Sequence, residues 1–370
     1  MKRMRIFATL LLMAVFALPA MAQIDDELAD KNANEATRAL YKYLKDEVWG
    51  KKVLSGCQAE WNYNTNDAEA IKNACGKYPA VNVFDFQHHD QTWINYRSDV
   101  ARNWRQAGGI VSFMWHIHMP CNAFAQQVYI GNTCGKKAPH GAALQYKTGF
   151  HRGITPSVWA GFYTPAAASG GQLPCHISPA KASTEGTLEN GMLNTRLDNV
   201  ASLLLYYQSQ GIAILFRPLH EASGGWFWWG SEGAEAYKQL YRYVFNYFTD
   251  KGVHNLIWIW TSELNDKSWY PGDEYVDIIA RDGYPNGNRD HRSQAADFRN
   301  LRAAYPNKMV CMPECNSVPS WANMEADEAL WLFVAPWCGG CAFDHNNTEE
   351  FWKEQMNSEG IITRDEVTSE

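Results

Sequence analysis

Residues 212–221 read IAILFRPLHE: five apolar positions without interruption, then Arg217, His220 and Glu221 gathered at the C-terminal end. A strand with one wet face would alternate apolar and polar residues, whereas a continuous apolar run is how a strand covered on both faces reads. The pattern recurs in KVLSG (52–56), AVNVFDF (80–86), GIVSFMWH (109–116), LIWIWTSE (256–263), VDIIARDGY (276–284), MVCMPE (309–314) and LWLFVAPW (330–337). Helical spacing fills the intervals. Tyr237, Leu240, Tyr241, Val244, Phe245 and Phe248 make one apolar stripe, and Leu193, Leu197, Val200, Ala201 and Leu204 make another. Strands alternating with helices imply a parallel sheet, and eight such units imply an α/β fold, a single-domain (β/α)8 TIM barrel. An N-terminal helix near 35–48 is expected to cover the barrel bottom. The competing architecture, an open doubly wound sheet, calls for a Gly-rich phosphate turn that is absent here.

One stretch breaks the rhythm. Residues 117–189 form a long excursion after the third strand, with Pro, Gly, Ser and three Cys. Loops of this length in a compact domain serve a purpose, and barrel active sites are built on this face, so it is read as a wall of the cleft.

At the start of the chain, basic MKRMR precedes the apolar run IFATLLLMAVFALP and the small-x-small box Ala20-Met21-Ala22. That order marks residues 1–22 as a signal peptide, too short in its apolar part to span a bilayer, and residues 23–370 as the catalytic barrel domain. Export to the periplasm or beyond follows, as a monomer with no membrane span. The net charge of −7 and the lack of a basic stripe exclude nucleic acid as a partner. Aromatic residues make up 14%, with sixteen Trp, and because sugar rings stack their C–H faces on indole, carbohydrate is the ligand class to test first. Nine Cys in an exported chain read as disulfides. Cys121 with Cys134 is the favoured pair, and Cys315 with Cys338 or Cys341 the next. The Cys311/Cys315 and Cys338/Cys341 spacings also suit zinc, but an oxidising compartment favours bridges.

In a barrel, function collects at the C-terminal strand ends, which here carry Asp85, His116, His220, Glu221, Glu263, Tyr284, Glu314 and Trp337. Glycosidic cleavage requires two carboxyl groups across such a mouth, one to protonate the leaving oxygen and one to attack the anomeric carbon or activate water. Around Glu221 the chain reads RPLHEASGGWFWWG (217–230). Arg217 can donate a fork of hydrogen bonds to a carboxylate, and the aromatic run from Trp226 to Trp229 would dry Glu221 and raise its pKa, as a general acid needs. Asp85 and Glu263 are read as structural hydrogen-bond partners, and His88 and His89 as loop residues. His116 and His118 could form a metal pair, but no third inward ligand accompanies them, so neither metal nor cofactor is expected.

FRPLHE followed by GGWFWWG, with MVCMPE placing Glu314 on the seventh strand, resembles glycoside hydrolase family 26, the β-mannanase family, over essentially the whole mature chain. The resemblance implies retaining hydrolysis of β-1,4-mannosidic bonds in mannan, with Glu221 as acid/base and Glu314 as nucleophile. It implies further that His116 and His220 contact the sugar beside the scissile bond, Trp226 flanks the cleavage point, Tyr284 hydrogen-bonds the nucleophile and Trp337 forms a stacking floor. Two positions depart from the family pattern: Ser223 stands where Asn is usual, and Cys338 where many members carry Arg. The same chemistry on a mixed-linkage β-glucan or β-1,3-xylan, a glycan-binding barrel without catalysis, and a metal-dependent hydrolase are the rival functions.

Overall fold

The computed structural model describes residues 23–59, 64–88, 94–120, 160–169, 174–339, 342–343 and 346–368. Eight parallel strands form the barrel: β1 (Val53–Gln58), β2 (Val81–Asp85), β3 (Ile110–Trp115), β4 (Ile214–Pro218), β5 (Leu256–Thr261), β6 (Ile278–Gly283), β7 (Met309–Cys315) and β8 (Phe333–Pro336). Each pairs with the next, and β8 returns to β1 with Phe333 opposite Leu54 and Val334 opposite Ser55, so the sheet is closed and the open alternative is excluded. Gly56 sits at this seam, where a Cβ would come within 2.8 Å of the Val334 carbonyl oxygen. A short last strand, β9 (Ile361–Ile362), pairs with Val53 and Leu54, below the point at which β1 meets β2.

The period-2 alternation sorts the strands into two cores. Leu54, Val83, Leu215, Ile259, Ile278 and Phe333 fill the lumen, and Leu40, Tyr41, Leu44 and Val48 plug it from below. The plug residues come from α1 (Glu35–Tyr43) and the wider turn Leu44–Val48 that continues it, so the expected helix under the barrel is present. On the outer face Phe113, Phe216 and Trp258 pack against a helical ring. That ring comprises α2 (Asn66–Cys75), α3 (Ile94–Gln106), α4 (Leu188–Ser209), α5 (Ala234–Asp250), α6 (Ala295–Ala304), α7 (Trp321–Ala326) and α8 (Glu349–Gln355). All six apolar stripe residues of α5 are buried, each contributing about 1.5–3 kcal/mol. Between β5 and β6 two single 3-10 turns, Lys267–Trp269 and Asp273–Tyr275, replace the helix, because Pro271 and Gly272 (φ 124°) interrupt the segment.

Beneath the barrel both ends of the described chain are tied to loops that enter strands. The Asp25 amide donates to Asn307 O at 3.0 Å, ahead of β7, and the Arg364 amide to Tyr78 O at 3.0 Å, ahead of β2. Among the described residues no helix is long and apolar enough to cross a membrane.

Two expectations need correction. The fourth strand stops at Pro218 rather than running to Glu221; Pro lacks the N–H to continue the ladder, and Leu219 (φ 50°) and Glu221 (φ 52°) turn left-handed. Nor does a disulfide join Cys315 to Cys338. The register sets Cys315 opposite Pro336, two residues short of Cys338, with its buried thiol 3.5 Å from Ala335 O. Cys121, Cys134 and Cys341 lie outside the described residues, as does the excursion from 121 to 159. The flanks of that excursion pair antiparallel, Met119–Pro120 with Ala160–Gly161.

Candidate active site

Glu314, near the end of β7, is held from three sides. Arg217 Nη2 donates to Oε2 at 2.7 Å, the Tyr284 hydroxyl to Oε1 at 2.7 Å, and Gln58 Nε2 reaches Oε2 at 3.5 Å. Arg217 projects from β4, is fully buried, and directs its other arm, Nη1, to Asp282 Oδ2 at 2.7 Å. Burial alone would favour the neutral guanidine, but Asp282 and Glu314 outweigh it and hold Arg217 firmly protonated. Burial and the facing Glu314 carboxylate push the Tyr284 hydroxyl far above the usual range, so it stays a donor although its ring is exposed at the rim.

Glu221 occupies a different environment. The left-handed turn swings it into the mouth, where Trp226 Nε1 donates to its Oε2 at 2.8 Å. The turn is braced from behind: Trp228 Nε1 donates to Ile117 O and Trp229 Nε1 to His220 O, both at 2.8 Å. Gly230 closes it so tightly that a Cβ would lie 2.0 Å from Ala222 O. Burial, then the negative charges of Asp282, Glu314 and Glu263, raise the Glu221 carboxyl well above the usual range, which keeps its proton on.

The opposite wall is imidazole and indole. His116 Nδ1 lies 2.6 Å from Asp85 Oδ2, while the His116 amide donates to Asp85 Oδ1 at 3.0 Å. Burial would raise the Asp85 carboxyl, yet His116 and the Gln87 amide bring it below the ordinary range. His220 packs edge-on to His116 at 4.5 Å, and burial, aided by Arg217 and His116, drives it to the neutral form. Trp337 stands edge-on to His116 at 6.0 Å. His116, Trp226, Trp337 and Tyr284 line a cleft of about 530 Å³ together with Glu221 and Glu314. Both carboxyl groups therefore face one space at one mouth.

The sequence profile of glycosyl hydrolase family 26 matches residues 29–366. The chain belongs to that family. A mannan endo-1,4-β-mannosidase of Thermothelomyces thermophilus is 31% identical over 355 residues, covering 93% of this chain, which spans only 64% of that relative's length. Among solved structures, the family 26 domain of an endo-β-mannanase/endo-β-glucanase from Prevotella bryantii is 34% identical at a TM-score of 0.74, covering 93% of this chain and all of that one. A β-mannanase from a symbiotic protist of the termite Reticulitermes speratus, complexed with gluco-manno-oligosaccharide, is 27% identical at a TM-score of 0.77, over 94% of this chain and 99% of that one.

Within this family 26 barrel the structure adds residues the sequence reading passed over. Asp282 was hidden in the apolar run of the sixth strand; it precedes Tyr284 by two, the spacing that puts both on one face, and a charge inside such a run was the available signal. Gln58 gave no such signal. Glu263 is the hydrogen-bond partner expected, with Arg281 Nη1 reaching both its oxygens at 3.1 Å, and it also lines the cleft. Asp85 does serve as the hydrogen-bond partner expected, orienting His116. Ser223, one of the two departures from the family pattern, donates to Asp266 Oδ2 at 2.7 Å, and Asp266 also accepts from the Glu263 amide at 2.8 Å, so the two loops are tied together.

His116 and His118 do not assemble a metal-sized cluster; His116 is turned to Asp85, and His118 packs on Phe162 with ring centroids 4.8 Å apart. Among the described residues, Glu221, Glu263 and Asp282 alone bring ligand atoms within 4.8 Å of one another. Arg217 and Arg281 already reach into that group, so guanidinium charge stands where a cation would.

Proposed function

We propose that this protein hydrolyses β-1,4-mannosidic bonds of mannan-type polysaccharides with retention of configuration. The observation that carries the reading is the contrast between two carboxyl groups in one cleft: Glu221, dried and surrounded by negative charge, keeps a proton, while Glu314 accepts from a buried guanidinium and a phenol. Two carboxyl groups in such unlike surroundings, one dried beside indole and one held by donors, are what an acid and a nucleophile need. The mannanase relatives support the substrate class.

Glu314 attacks the anomeric carbon while Glu221 passes its proton to the departing glycosidic oxygen, giving a glycosyl ester and a free sugar end. Glu221, now a carboxylate, takes a proton from water as that water attacks the anomeric carbon, and the bond from that carbon to Glu314 breaks. Tyr284 and Arg217 keep Glu314 aimed, and their hydrogen bonds, one to each oxygen, receive the carboxylate as it departs from the anomeric carbon. Neutral His220 and Asp85-oriented His116 serve as hydrogen-bonding groups for the sugar, with Trp337 as its stacking floor and Trp226 beside the cleavage point. We read residues 1–22 as an export leader from their order of basic, apolar and small residues, and the chain as working as a monomer.

The test is incubation with mannan, glucomannan, xylan and mixed-linkage β-glucan, with products separated by length and the first product examined by proton NMR. Mannan should be cleaved fastest and release the β anomer first. Preference for another backbone overturns the substrate, and initial α anomer overturns retention.

A further inference from the structure

The cleft lining holds two unlike groups beside the catalytic carboxyls: the imidazole and indole of His116 and Trp337, edge-on at 6.0 Å, and a charged ledge of Glu263 ion-paired to Arg281. Resting on the mannanase reading, we propose that this ledge grips the sugar that departs with the glycosidic oxygen, with Glu263 hydrogen-bonding the hydroxyl next to that oxygen.

A carboxylate oxygen of Glu263 lies within 4.8 Å of one on Glu221. When Glu221 reaches the glycosidic oxygen through a hydrogen bond of about 2.7 Å, the neighbouring hydroxyl of the departing sugar falls within similar reach of Glu263. A hydroxyl is the natural occupant there, because it donates to one carboxyl while the acid proton goes to the adjacent oxygen.

Arg281 sets the ledge. Its Nη1 holds both Glu263 oxygens at 3.1 Å, and its Nε leans on Asp297 of α6 at 3.4 Å. Arg281 also lines the cleft, and among the described residues no hydrogen bond occupies its Nη2. The Glu263 backbone is fixed as well, through its amide on Asp266. Burial brings the Glu263 carboxyl to about 7, with Arg281 pulling the other way, so near neutrality it both accepts from and donates to a hydroxyl. Nothing in the two-carboxyl chemistry requires this third carboxyl. A like charge beside the acid is a cost that contact with the leaving sugar offsets.

Substrates with and without a sugar on the leaving side provide the test. Wild type, Glu263→Gln and Arg281→Gln are compared on β-1,4-mannopentaose and on dinitrophenyl β-mannobioside, whose departing group carries no sugar hydroxyl. For both variants kcat/KM on the pentaose should fall ~10- to 100-fold, and on the aryl glycoside at least ten times less. Transfer of the glycosyl-enzyme to added mannobiose, measured against hydrolysis, should fall about as far as the pentaose rate. Equal losses on both substrates, with unchanged melting curves, would make Glu263 a tuner of Glu221 and overturn the inference; no loss on either would also overturn it. Wild type that cleaves neither substrate would bring down the mannanase reading and this inference with it, so the two failures are separable.

Discussion

Arg217→Met removes the cation between Asp282 and Glu314 while keeping much of the side-chain volume. Two contacts of 2.7 Å are lost, both to carboxylates that have almost no access to water. Breaking a buried ion pair by deleting one partner costs about 3–5 kcal/mol, because the remaining charge is left uncompensated. At about 2.1 cal/mol/K of unfolding entropy per residue, a barrel of this length should lose roughly 4–7 °C in melting temperature.

The pH dependence has a definite sign. The Asp282 carboxyl is already raised by burial in the folded state despite Arg217, and without Arg217 it rises further. A carboxyl whose folded pKa lies above its unfolded value stabilises at low pH and loses that contribution as pH climbs through the folded pKa. The deficit of the variant should therefore be largest at neutral pH and shrink toward pH 4. Adding Asp282→Asn removes the second uncompensated charge, so the double variant should be more stable than the sum of single effects by about 0.5–3 kcal/mol. Calorimetry of the four proteins at several pH values is the measurement. An additive cycle, or a deficit that grows in acid, would refute the assignment of this triad as a charge-balanced unit.

Replacing Glu314 with Ala should abolish turnover of every glycoside by several powers of ten, whereas Glu221→Ala should spare the first step on a dinitrophenyl glycoside, accumulate the glycosyl-enzyme by mass spectrometry, and release β-azide when azide is added; the opposite pattern swaps the roles. Asp85→Asn should leave the melting temperature within a few degrees but lower kcat/KM about 10- to 100-fold, since His116 loses the carboxylate that orients it; unchanged kinetics would remove His116 from the sugar contacts. N-terminal sequencing of exported protein should read from Gln23, and peptide mapping without reduction should recover Cys121 linked to Cys134; an intact leader, or two alkylated thiols, would defeat these expectations.

The barrel was legible because burial on both faces leaves a mark that survives without knowledge of partners: an apolar run ending in polar residues, repeated at helix-sized intervals. Both carboxyls and their aromatic neighbours stood at the ends of such runs. What did not show was local backbone geometry. IAILFRPLHE reads as one strand, yet the chain turns left-handed at Leu219 and again at Glu221, and nothing in residue type signals that beyond Pro218. Asp282 was missed because it follows an apolar run and stands beside Arg281, a ready local partner, whereas its buried partner Arg217 lies 65 positions earlier, two strands away. The Trp content was only partly a sugar signal: Trp115, Trp228, Trp229, Trp258, Trp260, Trp331 and Trp352 are fully buried, whereas Trp226 and Trp337 line the cleft. Composition counts indole without saying which side of a strand it faces.

The tying of both chain ends to strand-entering loops has a consequence for architecture. The cleft opens at one pole and the described chain begins and finishes near the other, so its two described ends stand clear of the mouth that holds Glu221 and Glu314. A module attached at that pole could be exchanged or lengthened while the pole that carries the cleft stays free. The helix and short strand that seal the underside also separate the two poles mechanically: a pull on either end would load the seal before it reached Glu221 or Glu314.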